Sequence, residues 1–127
     1  MTDELSAIDF AREFVPNILS REKRATTRLL RAEPHLQQLC TAGLRARATY
    51  GAVAGEGGHS FAVVRIRAVE WTTVGQLPLN DELARTEGLE SGMALQALIR
   101  RLYPDAADDD ALAVLHFDVE EAGSAAV

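Results

Sequence analysis

Leu44-Arg45-Ala46-Arg47-Ala48-Thr49-Tyr50 alternates apolar and polar residues over seven positions, and this stretch restricts the fold more than any other. A period of two belongs to a strand with one face buried and the other wet. Gly55-Glu56-Gly57-Gly58 then marks a turn, and Ser60 to Val69 continues as a long strand of apolar and β-branched residues carrying Arg65 and Arg67. The two strands are expected to form a hairpin. Ala25 to Leu30 has the β-branched and apolar content of a further strand, and Ala111 to Val119 alternates again as a last one.

The segments between and before these strands read as helices. Apolar residues from Ser6 to Leu19 recur at three-to-four spacing, which predicts a helix broken at Pro16, a residue with no N–H to donate. A short helix is expected from Glu33 to Thr41, started by Pro34. Two more are expected over Leu79 to Thr86 and Ser91 to Leu102, the second capped by Ser91 and stopped by Pro104. Strands and helices do not alternate as repeated βαβ units, so the expected class is α+β with a largely antiparallel or barrel-like sheet. At 127 residues one domain is expected, spanning residues 6–120, with residues 1–5 and 121–127 as flexible ends.

Composition narrows the function classes. Cys40 is the one cysteine and His35, His59 and His116 are scattered, so neither a disulfide nor a metal site is expected, and Cys40 reads as an inert thiol. No cofactor motif is present; the glycine-rich turn lacks the lysine and following helix of a phosphate loop. The acidic start Met1-Thr2-Asp3-Glu4 and the lack of a long apolar run point to a cytoplasmic protein without a membrane partner.

The net charge of −6 argues against binding phosphates, DNA included, yet it is unevenly spread. Between Arg21 and Arg67 nine basic residues face three acids, a balance of +6, and the rest of the chain therefore carries −12. Seven of the acids lie between Asp105 and Glu121. Two readings stay open: an ordinary solvated surface, or a local basic face on an acidic body.

The stretch Asn17-Ile18-Leu19-Ser20-Arg21-Glu22-Lys23-Arg24-Ala25-Thr26-Thr27-Arg28 resembles the defining motif of ASCH domains, a Gly-x-Lys followed by an arginine five residues beyond the lysine, which Lys23 and Arg28 match. The resemblance continues in order through Val69 to Val74, Glu82 to Leu89, Leu102-Tyr103-Pro104 and Val114 to Phe117. It implies a PUA-like mixed β-barrel flanked by helices. The motif's glycine position holds Arg21, a strained choice if the loop needs a positive φ there.

The chain further resembles bacterial ASCH proteins that are N4-acetylcytidine amidohydrolases, which use a lysine, a threonine three residues on and a distant glutamate. By position these are Lys23, Thr26 and Glu87, with Glu90 as the alternative acid. Such chemistry needs a nucleophile stripped of its proton, a base, and a group to handle the leaving amine. A lysine whose pKa is lowered by burial and nearby cations can supply the base. Arg28 would hold a phosphate or a developing oxyanion, and Arg21 and Arg24 would add cations beside it. On an extended segment Thr26 and Arg28 share one face and Thr27 takes the other.

Two alternatives accompany this expectation. One is a non-catalytic RNA-binding module using Arg28, Arg45, Arg47 and Trp71, the last as a stacking platform. The other is RNA cleavage in the same basic cleft. A monomer acting on a modified nucleoside or RNA is expected throughout, with Tyr103 and Phe117 in the core. A small enclosed pocket shared by Lys23, Thr26 and Glu87 would favour catalysis over an open binding groove.

Overall fold

In a computed structural model, which describes residues 6–51 and 58–122, five strands form one sheet in the order β1-β3-β4-β5-β2. They are β1 (Ala7–Phe10), β2 (Ala25–Leu29), β3 (Arg45–Tyr50), β4 (His59–Thr73) and β5 (Ala111–Ala122). Every pairing is antiparallel except β1 with β3. The hairpin is present as β3 and β4, with Arg45 opposite Arg65 and Tyr50 opposite His59. The expected Gly55 to Gly58 turn lies mostly outside the described residues.

Long β4 and β5 form the spine of the sheet, and register shifts near Val63 and Ile66 help it curl. Curling brings the two edge strands together. Arg28 on β2 donates from its NH2 group to the carbonyl oxygen of Asp9 on β1 at 2.7 Å, bridging the gap that would otherwise separate the edges. The result is a PUA-like half-barrel with helices on its outer face, α+β as expected.

The expected helix over Ser6 to Leu19 is corrected in its first half. Ala7 to Phe10 is a strand, followed by a 3-10 turn at Arg12–Phe14 and the short helix α1 (Val15–Leu19). Within Ala7–Phe10 only Ile8 and Phe10 are buried, a period of two that the three-to-four spacing of the longer window conceals. Pairing with β3, forty residues further on, decides the matter by supplying backbone partners that a short helix lacks. The segment after Pro34 is a 3-10 helix to Leu39. The Leu79 to Thr86 expectation divides at Asn80 into a 3-10 helix, Val74–Leu79, and α2 (Asp81–Thr86), whose first turn is capped by the Asn80 side chain accepting from Leu83 N–H. Ser91 caps α3 (Gly92–Leu102) as expected, accepting from Ala94 N–H. Strand β5 continues to Ala122, into the stretch read as a loose tail.

Two apolar cores follow. One fills the barrel with Ile8, Phe10, Phe61, Ile66, Leu115 and Phe117 among others. The other lies between the sheet and the helices α2 and α3, built on Leu29, Leu77, Leu95, Ile99 and Leu112. Strand β2 is sandwiched between them and all five of its residues are buried. Burial on both faces makes its polar residues conspicuous, since a buried hydroxyl or cation is costly without a partner.

Candidate active site

The loop from Ser20 to Arg24 is fixed by backbone bonds to three elements. Lys23 N–H donates to Asn17 O at 3.0 Å and Arg24 N–H to Thr86 O at 2.6 Å, while Arg24 O accepts from Phe117 N–H at 2.9 Å. Within it Arg21 has φ 68°, the one positive φ at a non-glycine position among the described residues. The left-handed turn that glycine would serve is therefore made with a β-carbon in place, at a cost of about 1–2 kcal/mol. The Arg21 side chain is exposed, as is that of Arg24.

That turn sends the next side chain but one inward. Lys23 is 3% exposed and its Nζ donates to Glu87 Oε1 at 2.9 Å, with the Phe14 ring centroid 5.0 Å away. Glu87 caps the C-terminus of α2 and is equally buried, and Gly88, with φ 79°, ends the helix behind it. Its second carboxylate oxygen accepts from the Thr27 hydroxyl. Burial pushes the Lys23 pKa below its usual 10.5; the Glu87 carboxylate opposes this and the Arg28 cation adds to it.

On the other face of β2, Thr26 Oγ1 accepts from Arg28 Nε at 2.9 Å. Arg28 is anchored further by Glu33, whose Oε1 accepts from NH1 at 3.0 Å, and its guanidinium lies 5.0 Å from the Phe10 ring centroid. The Tyr103 hydroxyl donates to the other Glu33 oxygen. Burial raises the Tyr103 pKa above its ordinary value, so this phenol stays protonated as a donor.

All of these groups line one cavity of about 230 Å³, closed on its apolar side by Phe14, Leu98 and Leu102. Pockets for drug-sized ligands run to roughly 300–1,000 Å³, so this one suits something as small as a single base. Lys23, Thr26 and Glu87 all reach it, while Glu90 stays exposed outside. Lys23 and Glu87 are bonded directly; Thr26 is bonded to Arg28, and the hydroxyl on Glu87 belongs to Thr27.

Thr27, Glu33 and Tyr103 were not singled out by sequence reasoning as site residues. For Thr27 a signal existed: Ala25, Thr27 and Leu29 share the face packed on the helices, and a lone hydroxyl there needs a polar partner. Glu33 and Tyr103 meet across 70 residues, which no local pattern announces. Tyr103, expected in the core, packs against it but points its hydroxyl to the cavity.

Of the two readings left open for the charge between Arg21 and Arg67, a solvated surface or a local basic face, the fold bears on the second by pairing the hairpin arginines with acids. Arg45 Nε lies 2.7 Å from Glu120 and its NH2 3.3 Å from Glu121; Arg65 shares Glu120 at 2.7 Å and Arg67 faces Asp118 at 3.8 Å. Strand β5 thus lays the acidic end of the chain along the basic hairpin. Arg31 is engaged in the same way by Asp110 at 2.7 Å. Arg47 is exposed on β3, outside the cavity. Trp71 is 55% exposed and does not line the cavity either. It lies six residues along β4 from the partner of Arg45, roughly 20 Å at strand spacing. Trp71 is therefore far from Arg45 along the sheet, although it stands opposite Ala113 of β5, the residue that Arg28 of β2 faces from the other side. His116 is held by Glu70 at 2.7 Å. No helix among the described residues is long and apolar enough to cross a membrane.

A curled five-stranded half-barrel flanked by helices is a fold that this chain shares with a solved ASCH domain. Solved structures with the same fold include the ASCH domain from Lactobacillus crispatus JV V101, at a TM-score of 0.68 and 20% identity, covering 93% of this chain and 80% of that one. Protein EF3133 from Enterococcus faecalis V583, of family DUF984, is similar at a TM-score of 0.66 and 20% identity, covering 87% and 68%. Protein PF0455 from Pyrococcus furiosus follows at 0.56 and 18%, covering 91% and 96%. No protein-family model matches the sequence, and no curated protein matches it.

Proposed function

We propose that the chain belongs with the ASCH family and is an amidohydrolase that removes the acyl group from N4-acetylcytidine or a related acylated nucleoside. The observation that carries this reading is the buried Lys23–Glu87 pair at 2.9 Å, opening together with Thr26 on a cavity of single-base size. A buried lysine with a lowered pKa, beside a hydroxyl in a cleft, is the kind of perturbed group that active sites use.

In this reading the deprotonated form of Lys23 takes the Thr26 proton as Oγ attacks the acyl carbon. Arg28, whose Nε is bonded to that hydroxyl oxygen, stabilises the negative charge that develops on the acyl oxygen beside it. The bond from the acyl carbon to N4 breaks, and the Lys23 ammonium returns its proton to the departing amine. Water then cleaves the threonine ester, releasing the carboxylic acid and restoring the hydroxyl. Glu87, held by Thr27, orients Lys23 throughout and favours its charged form when the proton arrives. Glu33 and Tyr103 keep Arg28 in place.

The pairing of Arg45 with Glu120 and Glu121 removes support from the RNA-binding alternative, and no observation favours RNA cleavage over amide hydrolysis. Incubation with a panel of N4-acylated cytidines, followed by release of cytidine, tests the proposal. Hydrolysis is expected, falling at least about a hundredfold in Lys23→Ala and Thr26→Ala. No hydrolysis of any member, or hydrolysis unaffected by these substitutions, overturns it.

A further inference from the structure

A second, wider cavity of about 480 Å³ adjoins the first, and the two share Asp9, Phe10 and Ala11 at the end of β1. Arg12, Tyr50, Gly51 and His59 complete it. Tyr50 and His59 are opposite one another on β3 and β4, with ring centroids 5.3 Å apart and 37° between planes. Cross-strand aromatic pairs stabilise a hairpin by themselves. This pair has a further feature. The Arg12 guanidinium carbon lies 5.6 Å from the Tyr50 ring centroid, and among the described residues Arg12 has no carboxylate within ion-pair distance, unlike Arg45 and Arg65, which Glu120 engages.

A half-buried ring, a second ring beside it and a cation with no carboxylate in ion-pair distance among the described residues, in a cavity that shares a wall with the base-sized one, form a chemically specific surface. Aromatic faces accept any base by stacking, and an arginine nearby accepts the phosphate that joins two nucleotides. We propose that this second cavity is a subsite for the nucleotide next to the one held in the first, with its base on Tyr50 and His59 and the connecting phosphate on Arg12. The substrate class is then a single-stranded RNA segment carrying the acylated cytidine, not the free nucleoside. This inference rests on the function proposed above for the first cavity.

Three probes separate the two ideas: N4-acetylcytidine, the trinucleotide A-C-A with the central cytidine acetylated, and the same trinucleotide without the acetyl group. The wild-type chain is expected to bind both trinucleotides at least about tenfold more tightly than the nucleoside. Tyr50→Leu, which keeps apolar bulk in the hairpin, is expected to erase that difference, and Tyr50→Phe to retain it. Arg12→Gln is expected to reduce the salt dependence of trinucleotide binding by about one contact, a change of about 0.7 in log–log slope. Hydrolysis of acetylcytidine itself is expected to be unchanged in both Tyr50→Leu and Arg12→Gln. Equal binding of nucleoside and trinucleotides, or trinucleotide binding indifferent to Tyr50→Leu and Arg12→Gln, overturns the subsite. If no acylated probe is hydrolysed, the first proposal fails, and binding of the unacetylated trinucleotide still decides the second.

Discussion

Replacing Glu87 by Gln takes the counter-charge away from a lysine that has almost no access to water. Both side chains are 3% exposed and their charged atoms are 2.9 Å apart. At an effective dielectric constant of about 20 the Coulomb attraction over that distance is about 6 kcal/mol, most of it offset by the desolvation of two ions. Removing one partner leaves the desolvation of the other uncompensated, so Glu87→Gln is expected to cost about 3–5 kcal/mol at neutral pH. Thr27, whose hydroxyl donates to the same carboxylate, adds a further contribution of about 1 kcal/mol. Against a typical total of about 5–15 kcal/mol, the variant stays folded but marginally so.

Removing both charges is a different matter, because neither member of the pair is then left ionised without its partner. Lys23→Met with Glu87→Gln is expected to lie within about 2 kcal/mol of the wild type, giving a coupling of at least about 3 kcal/mol in the double-mutant cycle. Urea unfolding followed by fluorescence and circular dichroism, with a common m-value, measures all four proteins. The Glu87→Gln defect is also expected to shrink at alkaline pH, where Lys23 sheds its proton. Single variants that each lose under 1 kcal/mol, with additive effects in the pair, would refute the account of a buried, mutually dependent ion pair.

Three further outcomes are expected. Arg21→Gly relieves the left-handed strain of about 1–2 kcal/mol but gains about 0.4–1 kcal/mol of unfolded-chain freedom, so it is expected to stabilise by about 0.5–1 kcal/mol. Arg21→Ala keeps the β-carbon and is expected to gain nothing, and an equal gain in both would locate the effect in charge. Because folded Lys23 binds its proton less tightly than unfolded lysine, wild-type stability is expected to rise as pH climbs from the lowered value towards 10.5. Tyr103, whose proton is held more tightly in the folded chain, reverses the trend above pH 10. Urea titrations below pH 10 check this, and a rise that persists unchanged in Lys23→Met would contradict it. Thr26→Ala is expected to lower acylcytidine hydrolysis at least about a hundredfold and to cost about 1–2 kcal/mol through the orphaned Arg28 Nε. Thr27→Val is expected to cost about 1–2 kcal/mol through the orphaned Glu87 oxygen, with a smaller loss of rate, and the reverse ranking of rates would exchange their proposed roles.

The strands of the central hairpin, β2 and β5 were legible because alternation and β-branched content are local properties, and so was the cap at Ser91. The loop before β2 was legible too. An arginine where the motif has glycine is strained only if the loop keeps a positive φ there, and Arg21 has a φ of 68°. The sequence by itself thus determined the class of fold and which stretch carries the lysine, since period, capping and turn chemistry act over a few residues.

Tertiary structure alone decided the rest. Ala7–Phe10 became a strand through its parallel pairing with β3, a partner that appears only once the hairpin exists. The register of β5 between β4 and β2 set Asp118, Glu120 and Glu121 against Arg45, Arg65 and Arg67, converting a segregated charge pattern into ion pairs. The packing of α2 over β2 chose Glu87 to meet Lys23 and Thr27 across sixty residues or more, leaving Glu90 in solvent. Each outcome depends on register and on which faces are brought together, and neither is written into any window of the chain shorter than the fold.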